Sequence, residues 1–147
     1  MTSVLPRSVA SRAFALCVLS LLAASCDDPT GSVPSAAVGT YALTRVNGQL
    51  LPVRITDTPD QQVDIVLGTM IVRADGSYRE SRDSRVTDAQ GTRTGTSFTE
   101  GTLHVSGSSL QVRERVGGTY NGTYADGSLS YSIPTGAAIV TFTYEKE

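Results

Sequence analysis

The feature that most constrains this chain is a repeated alternation of apolar and polar residues from Val38 to the C-terminus. Short alternating runs are separated by turn sequences about every 8 to 12 residues, which is typical of an antiparallel meander. The clearest run is Leu129 to Ile133, where two serines separate three apolar residues. A period of two places every second side chain on the same face of a strand, and no segment of this region has a helical period. The region is therefore predicted to be all-β.

Turn sequences divide this region into strands. Asn47-Gly48 is the strongest two-residue hairpin signal, because both residue types accept the positive φ of a type I′ turn. It separates a first strand at residues 39–46 from a return at residues 50–56, whose apolar residues Leu51, Val53 and Ile55 are expected on one face. Gly68 predicts a bulge, residues 87–91 predict a loop, and residues 92–105 form one long bulged strand or two short ones.

The strands must bury their apolar faces against one another. An antiparallel up-and-down meander of about 8–10 strands does so by closing into a small barrel, which also removes its free edges. Residues 38–147 are accordingly predicted to form one all-β barrel domain. The size of this region also suits a single domain.

The N-terminal segment predicts export. Arg7 and Arg12 precede an apolar run, Ala13 to Ala24, that is too short as a helix to cross a hydrocarbon core about 30 Å thick. Residues 1–25 are therefore predicted to be a signal peptide. Residues 21–26, Leu-Leu-Ala-Ala-Ser-Cys, resemble the lipobox of bacterial lipoproteins, which implies that Cys26 is lipidated. The alternative is ordinary cleavage after Ser25, which leaves Cys26 as a free thiol.

Residues 26–37 contain Cys26 and a segment rich in proline, glycine and serine, which predicts a flexible tether. Cys17 lies in the removed segment, so Cys26 has no intrachain disulfide partner. Loss of Arg7 and Arg12 changes the net charge from −2 to −4, which argues against nucleic acid as a partner. The expected location is the bacterial cell envelope, with attachment to an inner or outer membrane through the lipid.

Gly39-Thr40-Tyr41 at the start of the first strand, together with Asn47-Gly48 and the meander, resembles the lipocalin-like, or calycin, group of barrels. Members of that group usually begin with a Gly-x-Trp strand whose ring packs at the closed end of the barrel. Tyr41 occupies the tryptophan position, whereas the arginine that typically covers that ring has no match here. The resemblance implies a barrel that binds a small ligand.

Catalytic and metal-binding patterns are missing from the sequence. His104 is the only histidine and alternates with Leu103 and Val105, so it is expected to face solvent. No cysteine follows Cys26 and no nucleophile elbow occurs, so neither an enzyme nor a cofactor is predicted. A zinc site lacks ligands, and the spacing of Asp57, Asp60 and Asp64 does not match a calcium loop. These acids are expected to be solvated.

Charged residues on the predicted strands allow two interpretations. Residues 78–86 carry five charged side chains of both signs, which favours a solvated strand over a recognition face. Strict alternation would point Glu100, on the face of Phe98, and Glu114, on the face of Leu110 and Val112, into the barrel. A bulge or a strand end would return both carboxylates to solvent, and this second arrangement is favoured because an unpaired buried carboxylate is costly.

Alternation also predicts which side chains line the interior. The candidate ligand-cavity residues are Tyr41, Leu43, Tyr120, Tyr124, Leu129, Tyr131, Val140, Phe142 and Tyr144. Eight strands enclose a space that side chains can just fill or that admits one small ligand. The leading hypothesis is a lipid-anchored, non-enzymatic barrel that binds a small or apolar ligand. The alternative is a barrel with a filled core that serves an envelope partner or inhibits an exported enzyme.

Overall fold

The computed structural model describes residues 33–136 and 138–147. The predicted signal peptide, Cys26 and most of the predicted tether lie outside the described residues. The described chain contains one short 3₁₀ turn, Ser35–Ala37, and ten strands. The strands are β1 Gly39–Val46, β2 Gln49–Leu50, β3 Val53–Asp57, β4 Gln61–Val72, β5 Ser77–Asp88, β6 Gly91–Ser106, β7 Ser109–Glu114, β8 Thr119–Ala125, β9 Ser128–Thr135 and β10 Ala138–Lys146.

Eight of these strands close into an antiparallel barrel. From β4 to β10 each strand pairs with the next along the chain, and β1 closes the ring by pairing with both β10 and β4. Gly39 of β1 lies opposite Val72 of β4 at this closure. Strands β2 and β3 are additions, because β2 pairs with β1 and β3 pairs with β4. The predicted fold class, an all-β meander closed into a small barrel, is confirmed.

The first hairpin forms as its sequence predicts. Asn47 and Gly48 have φ values of 51° and 77°, and Val46 pairs with Gln49 directly across the turn. The side chain of Asn47 also accepts a hydrogen bond of 2.8 Å from the backbone N–H of Thr141 on β10. The turn is therefore fixed both by its own backbone preference and by a contact with the neighbouring strand.

The return from this hairpin differs from the prediction. Pro52 separates β2 from β3, and β3 pairs with β4 rather than with β1. Val53 is buried, but a shift of register between Arg54 and Thr56 leaves Ile55 44% exposed. The expectation that Leu51, Val53 and Ile55 share one buried face was wrong, since an irregularity within β3 breaks its alternation.

Three further local predictions are corrected. Gly68 is not the bulge of β4, since the register shift lies between Ile65 and Leu67. A Cβ atom on Gly68 would lie 2.8 Å from the Cβ atom of Leu43, so this glycine allows β1 and β4 to pack closely. Strands β5 and β6 continue without a register shift to the pair Asp88 and Gly91, because the predicted loop is only a short turn. Strand β6 is one long strand without a bulge against β5.

The end of the barrel beside the 3₁₀ turn is closed by packed residues. Val33 and Ala37 are buried in the core, and the hydroxyl of Tyr41 donates a hydrogen bond of 2.8 Å to the carbonyl of Ala37. Lys146 Nζ donates a hydrogen bond of 2.8 Å to the carbonyl of Ala36. Val33 and Ala37, which lie within the segment predicted as a tether, are therefore part of the packed region.

Candidate functional site

The residues predicted to line the cavity all belong to the barrel core or pack against it. Tyr41, Leu43, Leu129, Tyr131, Phe142 and Tyr144 are buried, and Tyr120, Tyr124 and Val140 are partly buried. The ring of Tyr131 packs between neighbours, with centroids 5.8 Å from Phe142 and 6.2 Å from Tyr144. Side chains therefore fill this part of the interior. A role of these residues in binding a ligand stays a prediction.

The sequence analysis missed two charged residues of the interior. Strand β5 was predicted to be solvated, but Glu80 is only 1% exposed and Arg82 is mostly buried. Both residues share the inner face of β5 with the buried Tyr78, since the three positions alternate. The prediction of a solvated strand was wrong for this half of β5. Their spacing from Tyr78 was the signal that could have identified them.

Glu80 and three residues around it, Arg82, Tyr131 and Tyr144, form a hydrogen-bonded group that we call the Glu80 cluster. Arg82 Nε lies 2.8 Å from Glu80 Oε1, and the hydroxyl of Tyr131 donates to Oε2 over 2.8 Å. The hydroxyl of Tyr144 donates to Oε1. The guanidinium of Arg82 also lies over the ring of Phe142, 4.5 Å from its centroid. Every charge and hydroxyl in this cluster therefore has a partner, which is what burial in a low-dielectric interior requires.

The tyrosines of the cluster remain protonated donors. Burial, and then the charge of Glu80, raises the pKa of the Tyr131 hydroxyl well above its usual range. Burial and the neighbouring Tyr131 raise the pKa of Tyr144 in the same way. Because both hydroxyls keep their protons, they donate to a carboxylate that also holds Arg82. The cluster is thus a structural ion pair supported by two neutral donors.

A groove of about 710 Å³ lies where β5, β6 and β7 meet the turn that follows β7. We call it the β6–β7 groove. Its lining residues are Arg73, Ser77, Tyr78, Glu100, Gly101, Thr102, Arg113, Glu114, Arg115, Gly117, Gly118 and Thr119. The residues predicted to line a cavity are not among them. The groove is open to solvent at its rim and reaches the inner face of the barrel at Tyr78 and Glu114.

Tyr78 is the inner wall of the groove. It is 1% exposed, and its hydroxyl has no hydrogen-bond partner among the described residues. Burial raises the pKa of this hydroxyl, and the charges of Glu80 and Glu114 raise it further. A buried hydroxyl without a partner loses about 1–3 kcal/mol of solvation that nothing in the fold returns. Tyr78 therefore differs from the tyrosines of the Glu80 cluster, whose hydroxyls both donate to Glu80.

Glu114 is the second polar group at the inner end of the groove. It is half-buried, and the hydroxyl of Tyr120 donates to its Oε2 over a long 3.5 Å. The same hydroxyl accepts a hydrogen bond of 3.3 Å from the backbone N–H of Gly118. Burial raises the pKa of the Glu114 carboxyl despite the opposing charge of Arg82. The carboxylate is thus partly desolvated and weakly partnered.

Glu100 points away from the interior. It is exposed, and its carboxylate lies 3.9 Å from Arg79 and 3.6 Å from Arg115. It shares a face with Phe98, as the sequence predicts, but that face is the outer one, where Phe98 is 61% exposed. Glu100 therefore reaches solvent without a bulge, because the assumption that an aromatic residue faces inward fails on this strand.

Two glycines of the groove let the side chains of Tyr78 and Glu114 lie close to the backbone. Gly101 pairs with Tyr78 on one side and with Glu114 on the other, so it lies between them on the inner face. A Cβ atom on Gly101 would lie 2.9 Å from Cε1 of Tyr78 and 2.0 Å from the carbonyl oxygen of Arg113. At Gly117, whose φ is +152°, a Cβ atom would lie 2.0 Å from Glu114 Oε2. Larger residues at either position would displace the walls of the groove.

Other candidate positions do not assemble a site in the described residues. His104 is exposed between the buried Leu103 and Val105, as the alternation predicts. The expectation that Asp64 is solvated was wrong, since it is buried and paired with Arg54 at 3.0 Å and with Arg85 at 2.8 Å. Across residues 33–136 and 138–147, no three potential ligands from His, Cys, Asp and Glu gather as a metal site. The described part of the chain also has no helix of the length and apolarity needed to span a membrane.

No protein-family model and no curated protein matches the chain. Among solved structures, it is similar to a variant of the fluorescent protein UnaG, with 13% sequence identity and a TM-score of 0.36, over 76% of this chain and 96% of that one. It is also similar to fatty-acid-binding protein 1 of Echinococcus granulosus, with 10% identity and a TM-score of 0.36, over 77% of this chain and 98% of that one. Neither likeness bears on what this chain binds.

Proposed function

We propose that this protein is an exported, lipid-anchored, non-enzymatic barrel of the lipocalin-like type that binds a small ligand in the β6–β7 groove. The observation that carries the binding proposal is Tyr78, which lines an open groove and whose buried hydroxyl lacks a partner among the described residues. A bound ligand would supply that partner. The apolar ring of Tyr78 and the polar rim suit a ligand with both apolar and polar parts.

The groove has the dimensions of a small-molecule site. Its volume of about 710 Å³ lies within the range of about 300–1,000 Å³ that ligand pockets usually have. Three of its lining residues are glycines, Gly101, Gly117 and Gly118, so the backbone forms part of the wall. Close approach of backbone to a ligand is one of the uses of glycine.

Titration with a neutral fluorescent probe, dansyl propylamide, tests this proposal. The chain has no tryptophan, so the dansyl signal is read without a native indole contribution. We expect saturable binding with about one-to-one stoichiometry, as a single groove of this size implies. Thr102→Trp should abolish binding by filling the exposed rim, since Thr102 lines the groove.

His104→Trp is the matched control for this experiment. His104 lies two positions further along β6, is also exposed and does not line the groove. It should therefore leave the dissociation constant of the probe unchanged. Saturable binding that survives Thr102→Trp would place the probe elsewhere, and a folded domain that binds no probe would refute the binding proposal.

The anchor is tested separately. The lipobox-like segment supports acylation of Cys26, and two or more acyl chains give stable membrane attachment, whereas one gives only marginal binding. Cys26→Ser should move the protein from the membrane fraction to the soluble fraction. An unmodified Cys26 in the intact mass of the native protein would contradict the proposal.

One observation supports the second candidate, a barrel that binds a protein partner. Phe98 and Val116 are 61% and 90% exposed and line a depression of about 300 Å³ beside the groove. Exposed apolar residues of this kind can mark an interaction surface, although single ones are common. A domain that binds no small probe, but whose pull-down of envelope proteins depends on Phe98, would favour this candidate.

A further inference from the structure

The charges at the inner end of the β6–β7 groove do not balance. Three charged side chains face this region from β5 and β7, namely Glu80, Arg82 and Glu114. Arg82 is committed to Glu80, since its Nε lies 2.8 Å from Oε1 in the Glu80 cluster. Glu114 forms no ion pair within the described residues. These three side chains carry a net negative charge, and Arg82, although it opposes the charge of Glu114, forms its ion pair with Glu80.

Tyr78, whose buried hydroxyl has no partner among the described residues, lies on the other side of Gly101. Tyr78 and Glu114 both face Gly101 from the two neighbouring strands, so their backbones are about 10 Å apart across a residue without a side chain. Both side chains line the groove. A tyrosine hydroxyl can accept as well as donate, whereas a carboxylate only accepts. The two groups together offer acceptors to a single donor placed between them.

The charges at the rim of the groove limit the charge that the outer part of the ligand can carry. Arg73 and Arg113 line it from the solvent side, while Arg115 lies 3.6 Å from the carboxylate of Glu100. These exposed cations would repel a second positive charge, although salt screens them more than it screens the inner end. The outer part of a bound ligand should therefore be neutral or anionic.

We infer that the ligand of this groove is a small molecule with one protonated amine, which donates hydrogen bonds to the Glu114 carboxylate and to the Tyr78 hydroxyl oxygen. This inference rests on the proposed function. An ammonium group supplies three donors and the missing positive charge, so it satisfies both inner groups at once. A neutral alcohol could partner Tyr78 but would leave the charge of Glu114 uncompensated, and a carboxylate would be repelled by it.

Three dansyl probes that differ only at the end of one alkyl chain test this inference. Dansylcadaverine ends in an amine, a second probe ends in a methyl group, and a third ends in a carboxylate. We expect the amine probe to bind at least about tenfold more tightly than the methyl probe, because a hydrogen bond to a charged group is worth more than a neutral one. The carboxylate probe should bind more weakly than either.

Two variants and a matched control test whether Glu114 and Tyr78 cause the preference for the amine probe over the methyl probe. Glu114→Gln should reduce the amine preference to about one, and Tyr78→Phe should reduce it several-fold. Glu145→Gln removes an exposed carboxylate of β10 that does not line the groove, and should keep the preference. Circular dichroism of each variant verifies that it is folded.

The outcomes separate this inference from the proposed function. Equal affinities for the amine and methyl probes, or tightest binding by the carboxylate probe, would overturn the amine inference and leave the groove as a ligand site. An amine preference that survives Glu114→Gln would also overturn it. Failure of all three probes to bind the folded wild-type domain would overturn both.

Discussion

Glu80 of the Glu80 cluster and Tyr78 of the β6–β7 groove lie two residues apart on the same face of β5. Both are buried, but only Glu80 has hydrogen-bond partners in the described part of the chain. Glu80 is buried, accepts hydrogen bonds from the hydroxyls of Tyr131 and Tyr144, and forms an ion pair with Arg82. Tyr78 is equally buried, but its hydroxyl has no partner among the described residues. The two side chains therefore differ in their hydrogen-bond partners and not in their burial.

This contrast separates a group kept for stability from a group kept for binding. A fully partnered buried network fixes the packing around it, whereas a buried group without a partner costs free energy in the empty protein. The cost is recovered when a ligand brings the missing partner. We therefore expect substitutions in the Glu80 cluster to lower stability and substitutions of Tyr78 to lower binding.

The largest expected effect is from Glu80→Ala. It leaves the guanidinium of Arg82 and the hydroxyls of Tyr131 and Tyr144 buried without their common acceptor. Breaking a buried ion pair by removing one partner costs about 3–5 kcal/mol of unfolding free energy. Urea denaturation followed by circular dichroism measures this loss.

Glu100→Ala is the control for that experiment. Its carboxylate is half-exposed and 3.6–3.9 Å from its arginine partners, so its removal should cost less than about 1 kcal/mol. Equal losses for the two variants would mean that the Glu80 cluster does not contribute as its contacts suggest.

The next largest effect is from the tyrosines of the cluster. Tyr131→Phe and Tyr144→Phe each remove one hydrogen bond to a charged acceptor, and each should cost about 1.5–3 kcal/mol. Because both hydroxyls donate to Glu80, the double variant should differ from the sum of the single ones by at least about 0.5 kcal/mol. Simple additivity in denaturation measurements would show that the two hydroxyls act independently.

The barrel itself could be predicted because its determinants are local. Alternation and turn residues specify strands such as Gly39–Val46, and the turn at Asn47-Gly48 follows from residues that accept positive φ. The exceptions have tertiary causes. Ile55 becomes exposed through a register shift within β3, and Gly68 is set by its contact with Leu43 on another strand.

The site was harder to predict because the charge of a residue does not determine whether it lies on the inner or the outer face of a strand. Glu80 and Arg82 looked like residues of a solvated strand, and only the hydroxyls of Tyr131 and Tyr144, about 50 to 60 positions away, make their burial tolerable. Phe98 led to the opposite error. Its face of β6 was predicted to be the inner one because the residue is aromatic, but it is the outer one. The pairing of distant strands decides both cases, and only the alternation of Glu80 and Arg82 with Tyr78 indicated the inner face locally.

A smaller effect concerns the pH dependence of stability. The pKa of Glu114 is raised in the folded protein, so protonation of this carboxyl favours the folded state. Its contribution is fully present below about pH 4 and is lost as the pH rises through the folded pKa. Glu114→Gln should remove this loss, so the melting temperature of the variant relative to wild type should rise between acidic and neutral pH.

Asp64→Asn gives the opposite sign in the same measurement. Hydrogen bonds from Arg85 and Arg54 hold the pKa of Asp64 below its usual range, so its contribution to stability is present at neutral pH and is lost on acidification. The melting temperature of Asp64→Asn should therefore be lower than that of wild type at neutral pH, and the two should converge in acid. The same direction for both variants would contradict the assigned pKa shifts.

The most direct test of the contrast is the stability of Tyr78→Phe measured beside that of Tyr144→Phe. Both substitutions remove only a buried hydroxyl, so cavity effects are matched. The Tyr78 hydroxyl has no partner to lose, and its removal should leave the unfolding free energy unchanged or raise it by up to about 1 kcal/mol, while Tyr144→Phe lowers it. A loss of stability in Tyr78→Phe as large as that in Tyr144→Phe would show that the Tyr78 hydroxyl supports the fold and would contradict its assignment to a ligand.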